Sequence, residues 1–169
     1  MIERFFRAMR LDSTFYREAA QDPSLDREST FLVILVALIA SLGGATGENG
    51  TWLAYFGTLA NSILLGWLLW AVVAWFIGRN VMEGEGSLGG MLRVLAYASV
   101  PRLLGVFSGI PLLGWLFGLA AGILGLIASI IAIREGMSVD TGKAVIIALL
   151  GALFYIAVSA LIGILSLPF

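Results

Sequence analysis

Charged residues fall in clusters along this chain, and uncharged stretches between them can be measured against a bilayer, which takes about 20 apolar residues per helical span. The first stretch runs from Thr30 to about Gly47, short and ending in glycine. The second, Trp52 to Ile77, is the clearest. The run from Leu88 to Ile133 is too long for one span, and Ser108-Gly109-Ile110-Pro111 offers a turn that divides it. The last runs from Ala144 to Leu167. The pattern predicts an all-α membrane protein with five transmembrane helices, preceded by a short amphipathic N-terminal helix. Residues 1–28 form a cytoplasmic amphipathic segment in this reading, and 29–169 the five-helix membrane domain.

In the N-terminal stretch, Ile2, Phe5, Phe6 and Met9 recur at helical spacing, with Arg4, Arg7 and Arg10 on the other flank. Such a helix lies in the headgroup plane with its arginines on anionic lipid, or packs on the protein's own cytoplasmic loops. Both readings place it on the cytoplasmic face. Orientation follows from the basic residues. Arg4, Arg7, Arg10, Arg17 and Arg27 precede the first span, Arg79 and Arg93 flank the second loop, and Arg134 and Lys143 flank the fourth. The alternate loops hold no basic residue, only Glu48. This predicts a multi-pass protein of the cytoplasmic membrane with its N-terminus in the cytoplasm.

Composition agrees. Of 169 residues, 60% are hydrophobic and 12% charged, with a mean hydropathy of +1.00. Charged residues supply about a quarter of a soluble domain. The first apolar stretch begins at Phe31, behind Asp22, Asp26 and Glu28, so no cleaved signal peptide is expected. The chain has no cysteine and no histidine, which removes thiolate nucleophiles, disulfides, imidazole bases and the usual zinc ligand sets. No cofactor and no metal are predicted. A net charge of −1 points to no nucleic-acid partner.

Gly84 to Gly89 spells GEGSLG, but three spaced glycines cradle a pyrophosphate only between a strand and a helix. A flexible cytoplasmic loop with a helix starting near Ser87 is the better account. Gly114, Gly118 and Gly122 recur every four residues, so bare backbone lines one helix face. Close backbone approach of this kind holds helices together in lipid. Packing within the chain is the favoured use, and a homodimer face is the sharper one. Glu83, Glu85, Glu135 and Asp140 share no helical face by spacing and carry little weight as a catalytic or metal set.

The polar residues inside the predicted spans are Asn61, Tyr97, Ser99, Arg102, Ser129, Tyr155 and Ser159. A central arginine costs a few kcal/mol even on the lenient insertion scale, so it is a candidate site whose partner must be named. No carboxylate lies in a span to pair with it. The candidates are carbonyls freed by Pro101, a lipid phosphate, or Glu48; plain snorkelling to the outer headgroups is the alternative. Asn61, Tyr97, Pro101 and Arg102 are therefore the candidate intramembrane polar site.

Three features resemble the Yip family, the Ypt/Rab-interacting membrane proteins and their prokaryotic relatives. They are a polar N-terminal segment followed by five apolar spans, the pattern AYASVP from Ala96 to Pro101 behind a Gly/Ser loop, and AIREGMSVDTGKAVIIAL from Ala132 to Leu149. The resemblance covers roughly Glu28 to the end. It implies a five-helix bundle with a cytosolic N-terminus, and the short loops and compact length look prokaryotic. The resulting reading is a non-enzymatic integral membrane protein in membrane organisation or partner binding, with the bilayer and a second copy as partners. The alternative is a small transporter or lipid-moving protein with a path near Asn61, Pro101 and Arg102. A membrane-embedded enzyme lacks a defensible nucleophile and base.

Overall fold

The computed structural model describes residues 1–42 and 51–165. Gly47, Glu48 and Leu167 lie outside the described residues, so Glu48 is not placed as a partner of Arg102. The described residues form helices and no strands. In order they are α1 (Ile2–Met9), α2 (Ser13–Gln21), a 3-10 turn (Pro23–Leu25) and α3 (Asp26–Ala40). Then come α4 (Trp52–Asn80), α5 (Leu88–Ala98), a 3-10 segment (Val100–Gly109), α6 (Gly114–Met137) and α7 (Thr141–Leu165).

Four candidate spans stand where the pattern predicts five: Trp52–Asn80, Leu88–Gly109, Gly114–Met137 and Thr141–Ile162. The 15 residues of α3 rise about 22 Å, short of the roughly 30 Å hydrocarbon layer. Part of α3 is also spent outside the apolar stretch, since its first turn holds Asp26 and Glu28.

Pro101 explains how α5 continues. It has no N–H to donate, so the chain tightens into 3-10 geometry, with Arg102 N–H bonded to Ser99 O at 3.1 Å. The gain is length. The 11 α residues and 10 3-10 residues together rise about 36 Å, the same as the 24 residues of α6. In 3-10 geometry positions i and i+3 eclipse, so Arg102, Gly105 and Ser108 form one ridge. That ridge meets α6. A Cβ on Gly125 would lie 2.8 Å from Arg102 Cγ, one on Gly105 3.6 Å from Ala121 Cβ, and one on Gly114 1.8 Å from Ser108 O.

The small-residue face of α6 therefore runs through Gly114, Gly118, Ala121 and Gly125. A strict four-residue repeat drifts about 40° per step around a helix of 3.6 residues per turn, and by Gly122 it has turned off the seam. Gly122 is exposed, with no atom of the described residues beyond its own stretch of helix within 4 Å of a would-be Cβ. Packing within the chain thus uses Gly114, with Gly118 3.8 Å from Ser108 Cβ, but not Gly122.

The charged segments gather at one end. Phe15, Tyr16 and Ala19 of α2 are buried against the bundle, with Phe15 edge-on to Tyr97 at 4.8 Å. In α1, Ala8 is buried, Phe5 and Met9 pack on the core, and Ile2 and Phe6 are exposed. Arg4 pairs with Glu28 at 2.7 Å, and Arg7 with Asp12 at 2.8 Å and Glu18 at 2.7 Å. The loop before α5 is not the flexible connector its glycines suggest. Glu85 N–H donates to Met137 O at 3.0 Å, and Trp75 Nε1 to Gly86 O at 3.1 Å. Ser87 caps α5 as expected, accepting from Gly90 N–H at 3.0 Å.

Asp12 caps α2, accepting from Thr14 N–H at 3.0 Å and Phe15 N–H at 3.3 Å. The Thr14 hydroxyl and the Arg7 guanidinium hold its carboxyl at about 2, below the usual 3.8. Because the folded value is the lower one, the cap stabilises α2 fully above pH 3.8 and loses that contribution as the pH falls through about 2. Amide exchange across residues 13–21 should rise in that window. In Asp12→Ala, whose α2 is weaker by about 1 kcal/mol at neutral pH, this acid step should be absent.

Candidate functional site

The described helices of the bundle converge on a cavity of about 210 Å³. By liquid volume it has room for roughly seven waters. Val33, Val36 and Ala37 of α3 form an apolar wall, and Asn61, Ser99, Arg102, Ser129 and Tyr155 bring polar atoms to it from α4, α5 with its extension, α6 and α7. Ser129 lies about 6 Å along α6 from Ile133, the last residue before Arg134, and about 22 Å from the Gly114 end, at 1.5 Å per residue. The polar cluster therefore lies within the apolar stretch of α6, nearer its charged end.

Two departures from regular α-helix border it. The π-helical stretch Leu64–Leu69 brings Gly66 and Trp67 to the wall, and the 3-10 segment brings Arg102. Such interruptions concentrate at functional sites. Arg102 is exposed to the cavity rather than enclosed by protein. Its guanidinium turns across to α6, where Nη2 donates to Ser129 Oγ at 3.4 Å. Ser129 in turn donates to Gly125 O at 2.8 Å. No carboxylate among the described residues pairs with Arg102. Asn61 Nδ2 donates to Tyr155 Oη at 3.3 Å, closing the other side.

Of the four residues singled out in the sequence, Asn61 and Arg102 line this cavity and Tyr97 and Pro101 do not. Two α-helical steps and three 3-10 steps set Tyr97 about 160° from Arg102 around the helix, so Tyr97 faces away from it. Its hydroxyl donates to Glu28 Oε1 at 2.9 Å, at the charged end. Pro101 is buried in the core, where it sets the backbone of the ridge. Leu95, Ser99 and Arg102 share a face at spacings of four and three, a signal present in the sequence. Ser99, Ser129 and Tyr155 belong to the site although only their polarity marked them. Gly125 was missed: its bare backbone makes room for the arginine stem.

The remaining charged clusters serve architecture. Arg93, buried, donates to Ala19 O at 2.8 Å, Ala20 O at 2.7 Å and Asp26 Oδ1 at 2.6 Å. Glu135, also buried, accepts from Arg17 Nε at 2.8 Å and Arg134 Nε at 3.0 Å. Glu135→Ala should lower stability by about 2 kcal/mol and loosen α2 from α6, read as faster proteolysis after Arg17. Among the described residues no group of three or more acidic side chains is placed to hold a metal ion.

The model of the Yip1 domain matches residues 7–162, nearly the whole chain. The chain belongs to the Yip1 family. No curated protein and no solved structure was found to match it. In this Yip1-family chain the match takes in α2 as well as the four candidate spans, so the charged end and the bundle lie within one family domain.

Proposed function

We propose that this Yip1-family chain is a non-enzymatic, multi-pass protein of the cytoplasmic membrane that acts in membrane organisation by presenting a binding platform on its cytoplasmic side. One observation carries the reading. At the charged end α2 is locked to the bundle through Arg93, Glu135 and Tyr97, so a polar surface rides rigidly on an apolar base. A preorganised surface loses less freedom on binding than a loose one. The five-span reading belongs with this proposal: α3 serves as the remaining span, which leaves the N-terminus and the basic turns on one side.

Photo-crosslinking in native membranes tests it. A crosslinker at exposed Thr14 or Gln21 should give discrete protein adducts that disappear in Arg93→Met, which frees the platform. Adducts that persist unchanged in Arg93→Met, or none at all, contradict the platform reading. The glycine face offers a separate test of self-association. Gly122→Leu should shift the oligomeric state in detergent if Gly122 lies in a homodimer seam, and leave it unchanged otherwise.

The cavity supports the second reading, a lipid-moving protein, because a broken helix with an intramembrane cation can receive an anionic group at depth. Arg102→Leu should abolish lipid flux across reconstituted vesicles while sparing the fold. Flux that persists sinks this reading.

A further inference from the structure

We infer that the Arg102 cavity is a binding site for the phosphate of an anionic phospholipid drawn into the bundle from the side. This goes beyond the platform reading and deepens the lipid-moving one, whose cavity it shares; lipid retention and lipid flux are read separately. Three observations carry it.

The first is unspent charge. A guanidinium presents five N–H donors in a fork matched to phosphate oxygens. Among the described residues the Arg102 guanidinium makes one long hydrogen bond, 3.4 Å to Ser129 Oγ. A charge at this depth is costly unless paired, and no carboxylate among the described residues pairs with it. The second is convergence of donors. Asn61 Nδ2 points its hydrogen bond at Tyr155 Oη, which leaves the Tyr155 hydroxyl proton and the second amide hydrogen of Asn61 to give. The site is thus rich in donors, has a net positive charge and holds no acid, the inventory an anion needs.

The third is a lateral way in. A second cavity of about 340 Å³, lined by Gly66, Trp70, Arg102, Ala152, Tyr155 and Ile156, shares Gly66, Trp70, Arg102 and Tyr155 with the first. The two meet at these shared side chains, and the second lies between α4 and α7. Ile156 is exposed on the outer face, so a lipid in the bilayer can reach the arginine from the side of the bundle. The apolar wall of Val33, Val36 and Ala37 then suits the glycerol and upper acyl carbons.

The test uses the full chain in phosphatidylcholine nanodiscs holding a minor fraction of phosphatidylglycerol, with retained lipids counted by native mass spectrometry. The wild type should retain phosphatidylglycerol over phosphatidylcholine by about tenfold relative to the disc, the size of one charge-assisted contact. Arg102→Leu should return the ratio to that of the disc, and Arg102→Lys should fall between. If Arg102→Leu does not fold, Asn61→Leu reads the same site and should lower the ratio severalfold. An unchanged ratio in Arg102→Leu, or in Asn61→Leu where that variant stands in, overturns the inference. Loss of the preference in Arg10→Gln instead assigns the lipid to the headgroup plane at α1 and also overturns it. Inorganic phosphate added to the same discs should not displace the lipid. Displacement would show that the site draws its anion from water, and the lipid assignment would fall.

Discussion

Arg93→Met should undock the N-terminal segment, at a cost of about 3 kcal/mol. The guanidinium ties three places at once: the C-terminal carbonyls of α2 at Ala19 and Ala20, and the first residue of α3 at Asp26. Methionine fills the same space but leaves two carbonyls without their donor, each worth about 1–3 kcal/mol when buried. The Asp26 pair adds little, because that carboxylate is largely in solvent, with a side-chain exposure of 61%. Hydrogen exchange over residues 1–25 should rise toward that of a free peptide while α6 and α7 stay protected. Arg93→Lys should recover only part of the loss, since an ammonium is a point donor and the three acceptors match a fork. Protection unchanged in Arg93→Met would mean that the apolar contacts of Phe15 and Tyr16, with the Arg17–Glu135 pair, hold α2 without it.

Gly86→Ala should destabilise the bundle by about 3 kcal/mol, near the upper end of what overpacking costs. A Cβ there would sit 2.0 Å from Gly136 O, a backbone atom, and 2.8 Å from Met137 Sδ. The sulfur can swing away, whereas the carbonyl moves only with the end of α6. Relief requires the loop to lift, which breaks the Glu85 to Met137 hydrogen bond and the Trp75 contact with Gly86 O. Gly57→Ala and Gly109→Ala are the controls, with nothing among the described residues within 4 Å of the added carbon, and neither should lower stability by more than about 0.5 kcal/mol. Thermal unfolding in detergent compares all three.

Four of the five predicted spans were legible because charge clusters bracket them, the Ser87 cap was legible from local chemistry, and the turn read at 108–111 falls two residues later, over 110–113, after the 3-10 segment ends at Gly109. The charged end was not. Arg93 and Glu135 read as loop-flanking charges, because what buries them is α2, more than 70 residues away in sequence from the first and more than 110 from the second. The cavity was half legible. Polarity inside a span marks Asn61, Arg102, Ser129 and Tyr155, but grouping them requires the angular position of each helix. Adjacency to Arg102 put Tyr97 and Pro101 in the site, whereas helical geometry turns the first away and buries the second. The glycines misled for a related reason. A four-residue repeat in sequence leads to Gly122, while the seam in the fold follows alternating steps of four and three to Gly125.

The central claim is that a polar cavity lies at depth within the bundle, open at Arg102. Because the chain has no cysteine, one introduced thiol reports on it without background. Asn61→Cys, whose side chain lines the cavity and is exposed, should react in reconstituted vesicles with a small, charged, water-soluble methanethiosulfonate, and Ala157→Cys, exposed on the outer side of α7, should not. Asn61→Cys that stays as inert as Ala157→Cys would mean a closed, dry bundle, and the account of Arg102 would be wrong.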